Sequence, residues 1–183
     1  WSSDVCSSDL LDHQAWLGDT LEEIGAEKAA IFREGKPALI GERDAPDSVY
    51  RGAAAAGHML RLGEHFDLSE QGFRGMSHDG GVFQIQNLPA PRLHPDNLAT
   101  AIQAVLIQGL TPSEQDLVEL CGMPLAGRFQ QLDYQGRHLI LDVAHNPDAA
   151  VYLAEQLEAL TGTDGRKLAV RSEEHTSELQ SPD

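Results

Sequence analysis

The sequence is poor in basic residues and in cysteine, and it has no long hydrophobic run. Its 183 residues include 13 Lys and Arg against 29 Asp and Glu, which gives a formal net charge of −16 at pH 7. Such an acidic chain is not expected to bind nucleic acid or an anionic membrane surface unaided. No apolar segment approaches the roughly 20 residues of a membrane-spanning helix, so the sequence does not predict a membrane protein.

The two ends of the chain are predicted to be non-native. Residues 171–183 begin RSEEHTSEL, which is the translation of the DNA string AGATCGGAAGAGCACACGTCTGAACTCCA. Residues 1–10, WSSDVCSSDL, are the translation of its reverse complement. Both strands match a widely used short-read sequencing adapter, and the two ends hold seven of the eleven serines. We therefore expect residues 1–10 and 171–183 to be adapter-derived and to take no part in the fold.

The remaining residues, 11–170, are still acidic and contain one cysteine. They carry 23 acidic and 12 basic side chains, and Cys121 cannot form an internal disulfide with a native partner. A single cysteine fits a reducing compartment, and the sequence predicts a buried structural thiol.

Helical and strand patterns alternate along residues 11–170, which predicts an α/β protein. Glycine and proline in the connector Gly122–Gly127 predict a domain boundary there. Helices are predicted at Leu21–Arg33, Ser48–Leu62, a segment with Leu98, Ile102, Val105 and Leu106 on one face, Glu114–Leu120 and Asp148–Leu160. Strands are predicted at Pro37–Gly41, within Phe66–Phe83 around a His78–Gly81 turn, and at Gln130–Tyr134, His138–Leu141 and Lys167–Val170.

The segment LILDVAHNPDAA, residues 139–150, carries the most chemical information. An apolar strand stops at Asp142, His145 follows three residues later, and Asn146 and Pro147 suit the start of a helix. This strand–turn–helix unit places ligand groups at the carboxyl edge of an α/β sheet and presents a helix N-terminus suited to anions. An ordinary strand–helix connection is the alternative interpretation.

Lys28 is predicted to lie on the apolar stripe of its helix. Its neighbours at helical spacing are Ile24, Gly25, Ile31 and Phe32, with no carboxylate three or four residues away. Burial favours the neutral amine, which can react with carbon dioxide to form a carbamate, an oxygen ligand suited to magnesium. The alternative is that the stem packs on the core while the ammonium reaches water.

Three further residues have both a functional and a structural interpretation. His13 follows a predicted strand end and can bind a metal, although a hydrogen-bonding histidine is commoner there. Asn97, in the segment HPDN before an apolar helix, is predicted first as a helix cap. Arg128, in the segment GRF, can bind phosphate through both its terminal nitrogens or lie exposed in a linker.

In order along the chain, LDHQAWLGDTLEEIGAEKAAIFREGKPALIGE, HPDNLATA, GRFQ and LILDVAHNPDAA resemble the folylpolyglutamate synthase/dihydrofolate synthase family of the Mur ligase superfamily. The bifunctional bacterial type is the most similar. The resemblance implies that residues 11–122 are the second half of a central ATP-binding domain with a mixed sheet and flanking helices. Residues 123–170 would then begin a Rossmann-like C-terminal ligase domain.

The family uses ATP to phosphorylate a pteroate or folate carboxylate, and L-glutamate then displaces the phosphate. The resemblance implies ATP, two magnesium ions and a carbamylated lysine. It also implies that His13 binds the second magnesium ion. Two catalytic residues are implied: Lys28, carbamylated to support that metal site, and His145, which faces the cleft between the domains. The implied nucleotide-binding residues are Asn97 for adenine, Arg128 for phosphate and Asp142 for ribose.

The sequence also departs from this family. It contains no G-x-x-x-x-G-K-[ST] phosphate-binding loop, and Ala30 stands where family members often have glycine. We therefore expect the chain to be an inactive fragment of a cytoplasmic, monomeric ligase. Two alternatives remain, namely another amino-acid ligase of the Mur superfamily and a non-catalytic α/β binding domain that retains relics of ATP-binding residues.

Overall fold

The computed structural model describes residues 20–144 and 147–161, which form a mixed α/β structure, as predicted. The helices are α1 (Leu21–Ala29), α2 (Asp47–Gly52), α3 (Pro95–Ile107), α4 (Glu114–Gly122) and α5 (Pro147–Thr161), with a 3₁₀ turn at Ala53–Ala55. The strands are β1 (Pro37–Ile40), β2 (His58–Arg61), β3 (Asp67–Ser69), β4 (Gly72–Met76), β5 (Val82–Gln86), β6 (Gln130–Tyr134) and β7 (Arg137–Leu141). The predicted strand Lys167–Val170 and both adapter-like ends lie outside the described residues.

Strands β1 and β2 form a parallel pair. The predicted strand at Pro37–Gly41 is confirmed as β1, and it pairs with β2 in the register Pro37↔His58. The pairing continues one step further, because the Leu62 N–H donates to the Ile40 carbonyl over 2.9 Å. The carboxyl ends of both strands therefore lie side by side, at the edge where α/β proteins place their ligands.

The predicted helix over Ser48–Leu62 is wrong beyond its first turns. Helix α2 ends at Gly52, and the chain enters β2 six residues later. Gly57 makes a close backbone approach, because a Cβ there would lie 2.8 Å from the carbonyl oxygen of Gly35. Pairing with β1 and burial of Leu60 outweigh the helix propensity of the alanine run.

Helix α1 begins with a capping box between Thr20 and Glu23. The Thr20 hydroxyl accepts from the Glu23 N–H, and the Glu23 carboxylate accepts from the Thr20 N–H. The helix ends four residues before the predicted limit at Arg33. The Arg33 guanidinium donates to the Ala30 carbonyl over 2.6 Å, so a side chain satisfies an oxygen that a longer helix would have paired with an amide.

Glu22 of α1 caps the next helix along the chain. The N-cap residue of α2 is Pro46, which makes no capping bond. Instead the Glu22 carboxylate accepts from the N–H groups of Asp47 and Ser48 at 3.0 and 2.9 Å, and from Arg51 at 3.0 Å. Desolvation acts to raise the pKa of Glu22, but these hydrogen bonds outweigh it and leave the pKa below its ordinary value.

Strands β3, β4 and β5 form an antiparallel sheet in that order. The predicted turn at His78–Gly81 is confirmed and joins β4 to β5. The Ser77 N–H donates to the Gly81 carbonyl over 2.8 Å, and Gly80 has the positive φ of 83° that favours glycine.

Helix α3 supplies one face of the main core. Leu98, Ile102 and Leu106 are buried as predicted, whereas Val105 is 39% exposed and lies outside the stripe. Cys121 of α4 packs into the same core, and burial raises the pKa of its thiol. The predicted buried thiol is therefore confirmed. Other members of this core are Leu60, Leu62, Phe66, Leu68, Phe73, Leu88, Ala99 and Leu117.

A buried amide attaches α3 to the end of β4. Gln103 is fully buried, its Nε2 donates to the Met76 carbonyl over 2.7 Å, and its Oε1 accepts from the Met76 N–H over 2.9 Å. Gly75 permits this approach, because a Cβ there would lie 2.4 Å from Oε1 of Gln103.

The elements after α3 follow the predicted pattern. Helix α4 starts with a capping box between Ser113 and Asp116, and β6 and β7 form a hairpin through Gln135 and Gly136, both with positive φ. Helix α5 starts at the predicted Pro147. In the described part of the chain, α5 packs extensively against no other element. None of the described helices is long and apolar enough to span a bilayer.

We expect Gln103→Met to destabilise the chain by about 1–3 kcal/mol, because the N–H and C=O of Met76 lose their partners while side-chain volume is kept. Chemical denaturation of the 183-residue chain measures this difference. Gln108→Met, at the exposed C-terminus of the same helix, serves as the control and should change stability little. Equal stability of the two variants would contradict this role for Gln103.

We expect Glu22→Gln to lower the melting temperature at neutral pH. A carboxyl with a lowered folded-state pKa stabilises the fold above its unfolded-state pKa, and this contribution is lost as the pH falls through the folded-state pKa. The difference between wild type and variant should therefore shrink in acid. Thermal unfolding across a pH series measures it, with Glu27→Gln on the same helix as the charge-matched control. A difference independent of pH would refute the capping role.

Candidate functional site

Asp142 lies at the carboxyl end of β7 and ties two segments together. Its Oδ2 accepts from the Phe129 N–H over 2.7 Å, and its Oδ1 accepts from the Ala144 N–H over 2.8 Å. A carboxylate offers roughly four lone-pair positions, so half-buried Asp142 can accept further donors. Asp142, which the sequence predicts as a ribose ligand, therefore also accepts the hydrogen bonds that hold the turn after β7.

The segment with Arg128 is fixed on both sides. The Val143 N–H donates to the Gly127 carbonyl over 2.9 Å, and Gly127 has φ 69° with little room for a Cβ beside Val143. Phe129 has φ 42°, a strained value for a residue with a side chain. Arg128 is half-buried between these two residues. The structure therefore joins the predicted phosphate-binding segment to the turn that carries Asp142.

The segment HPDN starts α3, but Asn97 is not its cap. His94 is the N-cap residue, and its Nδ1 accepts from the Asp96 N–H over 3.3 Å. Pro95 takes the first helical position, so Asn97 falls inside the first turn, where it is half-buried. The predicted cap assignment was wrong because proline is favoured directly after the cap.

Arg43 fixes the first turn of α3 from the loop after β1. Its Nε and Nη2 donate to the two carboxylate oxygens of Asp96 at 3.0 and 2.6 Å, and Nη2 also donates to Asp67 of β3 at 2.8 Å. Hydrogen bonds with Asp96 and then Asp67 raise the pKa of Arg43. Sequence reasoning missed this residue, because its partners are 24 and 53 positions away.

An aromatic contact joins α3 to α5. The rings of His94 and Tyr152 have centroids 4.6 Å apart and are tilted by 57°. Burial raises the pKa of half-buried Tyr152, a hydrogen bond with Gln156 opposes the rise, and the charges of Glu155 and Asp142 add to it. The structure therefore brings the segments with Asn97, Arg128 and Asp142 into one region, and Tyr152 was not predicted to belong to it.

Lys28 does not lie on the buried face of α1. Ile24, Gly25 and Ala29 are buried, whereas Lys28 is exposed and Ile31 is 64% exposed. Packing of α1 on α2 decides which face is buried, since a Cβ at Gly25 would lie 2.6 Å from the Cγ of Pro46. The expectation that Lys28 belongs to the apolar stripe was wrong, and its carbamylation therefore depends on the family resemblance.

The three predicted nucleotide-binding residues all lie in the described part of the chain and carry three different polar groups. Asn97 has an amide, which can donate and accept, Arg128 has a guanidinium, which only donates, and Asp142 has a carboxylate, which accepts. Within residues 20–144 and 147–161, no group of three or more His, Cys, Asp and Glu is arranged to hold a metal ion. His13 and His145 lie outside the described residues.

Comparison with known proteins points to one group of relatives. No protein-family model matches the chain. It is 38% identical over 181 residues to the dihydrofolate synthase/folylpolyglutamate synthase of Escherichia coli, a match that covers 96% of the chain and 41% of that protein. The Haemophilus influenzae protein of the same name is 35% identical over 183 residues, covering 91% and 42%. The chain thus spans about two fifths of the length of these relatives.

Solved structures agree with this match. A structure of the bifunctional folylpolyglutamate synthase/dihydrofolate synthase of Yersinia pestis, with Mn and AMPPNP bound, has a TM-score of 0.69 and 40% identity, covering 84% of this chain and 37% of that one. E. coli FolC in complex with DHPP and ADP has a TM-score of 0.67 and 37% identity, covering 82% and 36%. By sequence and by fold, the chain is homologous to dihydrofolate synthase/folylpolyglutamate synthases and spans about two fifths of their length.

Proposed function

We propose that these residues belong to an ATP-dependent ligase that adds L-glutamate to dihydropteroate, to folate polyglutamates, or to both. The observation that carries the proposal is the convergence of the α3 N-terminus, the Arg128 segment and the Asp142 turn through the His94–Tyr152 contact. Relatives crystallised with ADP, with AMPPNP and Mn, and with L-glutamate support the same interpretation. Their names favour the folate branch over other amino-acid ligases of the Mur superfamily.

The residues have distinct roles in this proposal. Asn97 binds the adenine, Asp142 accepts from the ribose hydroxyls, and Arg128 binds a phosphate group through its planar guanidinium. A fixed arginine stabilises charge that develops on phosphoryl oxygens, because it needs no rearrangement during the reaction. The folate carboxylate takes the γ-phosphate to give an acyl phosphate, and the amine of glutamate then displaces phosphate to form the amide bond.

Divalent metal and a modified lysine complete the proposed site. Bound magnesium would neutralise charge on the phosphate oxygens. We assign His13 as a metal ligand, Lys28 as the carbamylated lysine that supports this ligand set, and His145, three residues after Asp142 in the sequence, as the catalytic residue that faces the cleft. These three assignments derive from the family resemblance.

The proposed domain organisation places the boundary between α4 and β6. Residues 11–122 form the second half of a central ATP-binding domain, and residues 123–170 form the first part of a C-terminal ligase domain. The buried thiol of Cys121 suits a reducing compartment, and we place the parent ligase in the cytoplasm as a monomer.

We expect the 183-residue chain to show no glutamate-dependent ADP release with dihydropteroate or tetrahydrofolate, because its sequence lacks the phosphate-binding loop. A chimera, in which residues 11–170 of this chain replace the matching segment of the E. coli relative, should show this activity. A coupled ADP assay on both proteins measures the outcome. A folded but inactive chimera would contradict the proposed function, and activity of the chain alone would contradict its status as a fragment.

In that chimera, Arg128→Ala should lower kcat/KM for ATP by about 10²-fold, since a charge-assisted hydrogen bond to phosphate is lost. Arg137→Ala removes the same charge from an exposed position on the neighbouring hairpin and should change kcat/KM little. Steady-state kinetics with ATP as the varied substrate compares the two. Similar losses in both variants would show that charge alone, and not the position of Arg128, affects the rate.

A further inference from the structure

The start of α3 and helix α5 meet in an aromatic contact. Helix α5 packs extensively against no other described element, yet Tyr152 on it is half-buried against the ring of His94. A tilted aromatic pair is favourable beyond the area that it buries, because the edge of one ring meets the face of the other. On a helix without an extensive packing partner, such a pair has a large effect on where the helix lies.

The His94 end of this contact is held rigidly. The His94 side chain caps α3 through the Asp96 N–H, and the Asp96 carboxylate is bound by Arg43, which also binds Asp67. Thr100 adds a bond from its hydroxyl to the Asp96 carbonyl over 2.8 Å. The histidine ring therefore presents a fixed surface at the start of α3.

The other end is tied to the turn after β7. This turn is shaped by Asp142, which accepts from the amides of Phe129 and Ala144, and α5 begins three residues after Ala144. Tyr152 lies in the second turn of α5, five residues after the helix begins. Because α5 follows the Asp142 turn directly along the chain, the position of Tyr152 is coupled to the position of that turn.

We propose that Tyr152 is a positioning residue: its ring, packed on His94, sets the distance between the Asn97 end of α3 and the turn with Asp142 and Arg128. The role as part of a nucleotide site rests on the proposed function, because Asn97 and Asp142 are the adenine and ribose ligands there. The aromatic pair brings the two ligand-bearing segments together before the nucleotide binds, which lowers the ordering cost of binding.

The direct test measures the distance between α3 and α5 in the 183-residue chain. Spin labels go on cysteines introduced at exposed Ala101 and Ala159, with Cys6→Ser, while Cys121 is buried and protected from labelling. Pulsed electron spin resonance should give a narrow distance distribution for the wild type and for Tyr152→Phe, which keeps the ring. Tyr152→Leu should lose the narrow distribution.

Two further variants separate positioning from simple loss of stability. His94→Asn removes the ring but keeps a good helix cap, so it should broaden the distribution without unfolding α3. Tyr134→Leu replaces an exposed tyrosine on β6 and should leave the distribution narrow. An unchanged distribution in Tyr152→Leu or in His94→Asn would overturn the proposal, as would equal broadening in Tyr152→Phe.

A second arm concerns the nucleotide. ADP at millimolar concentration should shift the side-chain amide resonance of Asn97, and Tyr152→Leu should weaken ADP binding by about two- to tenfold relative to Tyr152→Phe. Absence of any ADP shift in the wild type would remove the nucleotide role of this region. The spin-label distances test the positioning role of Tyr152 whether or not ADP binds.

Discussion

Burial of helix α3 is the constraint on which the other features of the described structure depend. The helix packs against β1 of the parallel pair and against β3 and β4 of the antiparallel sheet. Its apolar stripe supplies the main core, and Gln103 attaches it to β4. Gly41 allows close packing on β1, because a Cβ there would lie 2.5 Å from the Thr100 hydroxyl. One helix therefore sets the relation between two sheets.

The same helix determines where the candidate site lies. Because its N-terminus meets the carboxyl edge of β1 and β2, His94, Asp96 and Asn97 are held where α/β proteins bind ligands. Arg43 fixes this end within the first half of the chain, and Tyr152 links it to the second half. The candidate residues lie in short motifs that the sequence analysis identified, but contacts between segments far apart in sequence bring them together.

Local signals predicted much of the fold, and long-range contacts account for the errors. The strand at Pro37–Ile40, the turn at His78–Gly81, the capped start of α4 and the strands β6 and β7 follow from turn residues, caps and alternation, which act over a few positions. The helix predicted over Ser48–Leu62 was wrong because the second half of this segment forms a strand that pairs with β1. In the site, HPDN, GRF and DVAHN were recognisable, but the exposure of Lys28 and the bonds of Arg43 and Glu22 depend on which helices pack together.

The Gln103–Met76 pair also affects how the antiparallel sheet ends. Strand β3 pairs with β4 only as far as Arg74, so the N–H and C=O of Met76 extend past the last rung of the ladder. An unpaired stretch of strand is a template for β-addition by a second molecule. The carboxamide of Gln103 occupies these groups as a neighbouring strand would, with one donor and one acceptor. Because both groups are already bonded to a helix side chain, they are not available to a strand of a second molecule.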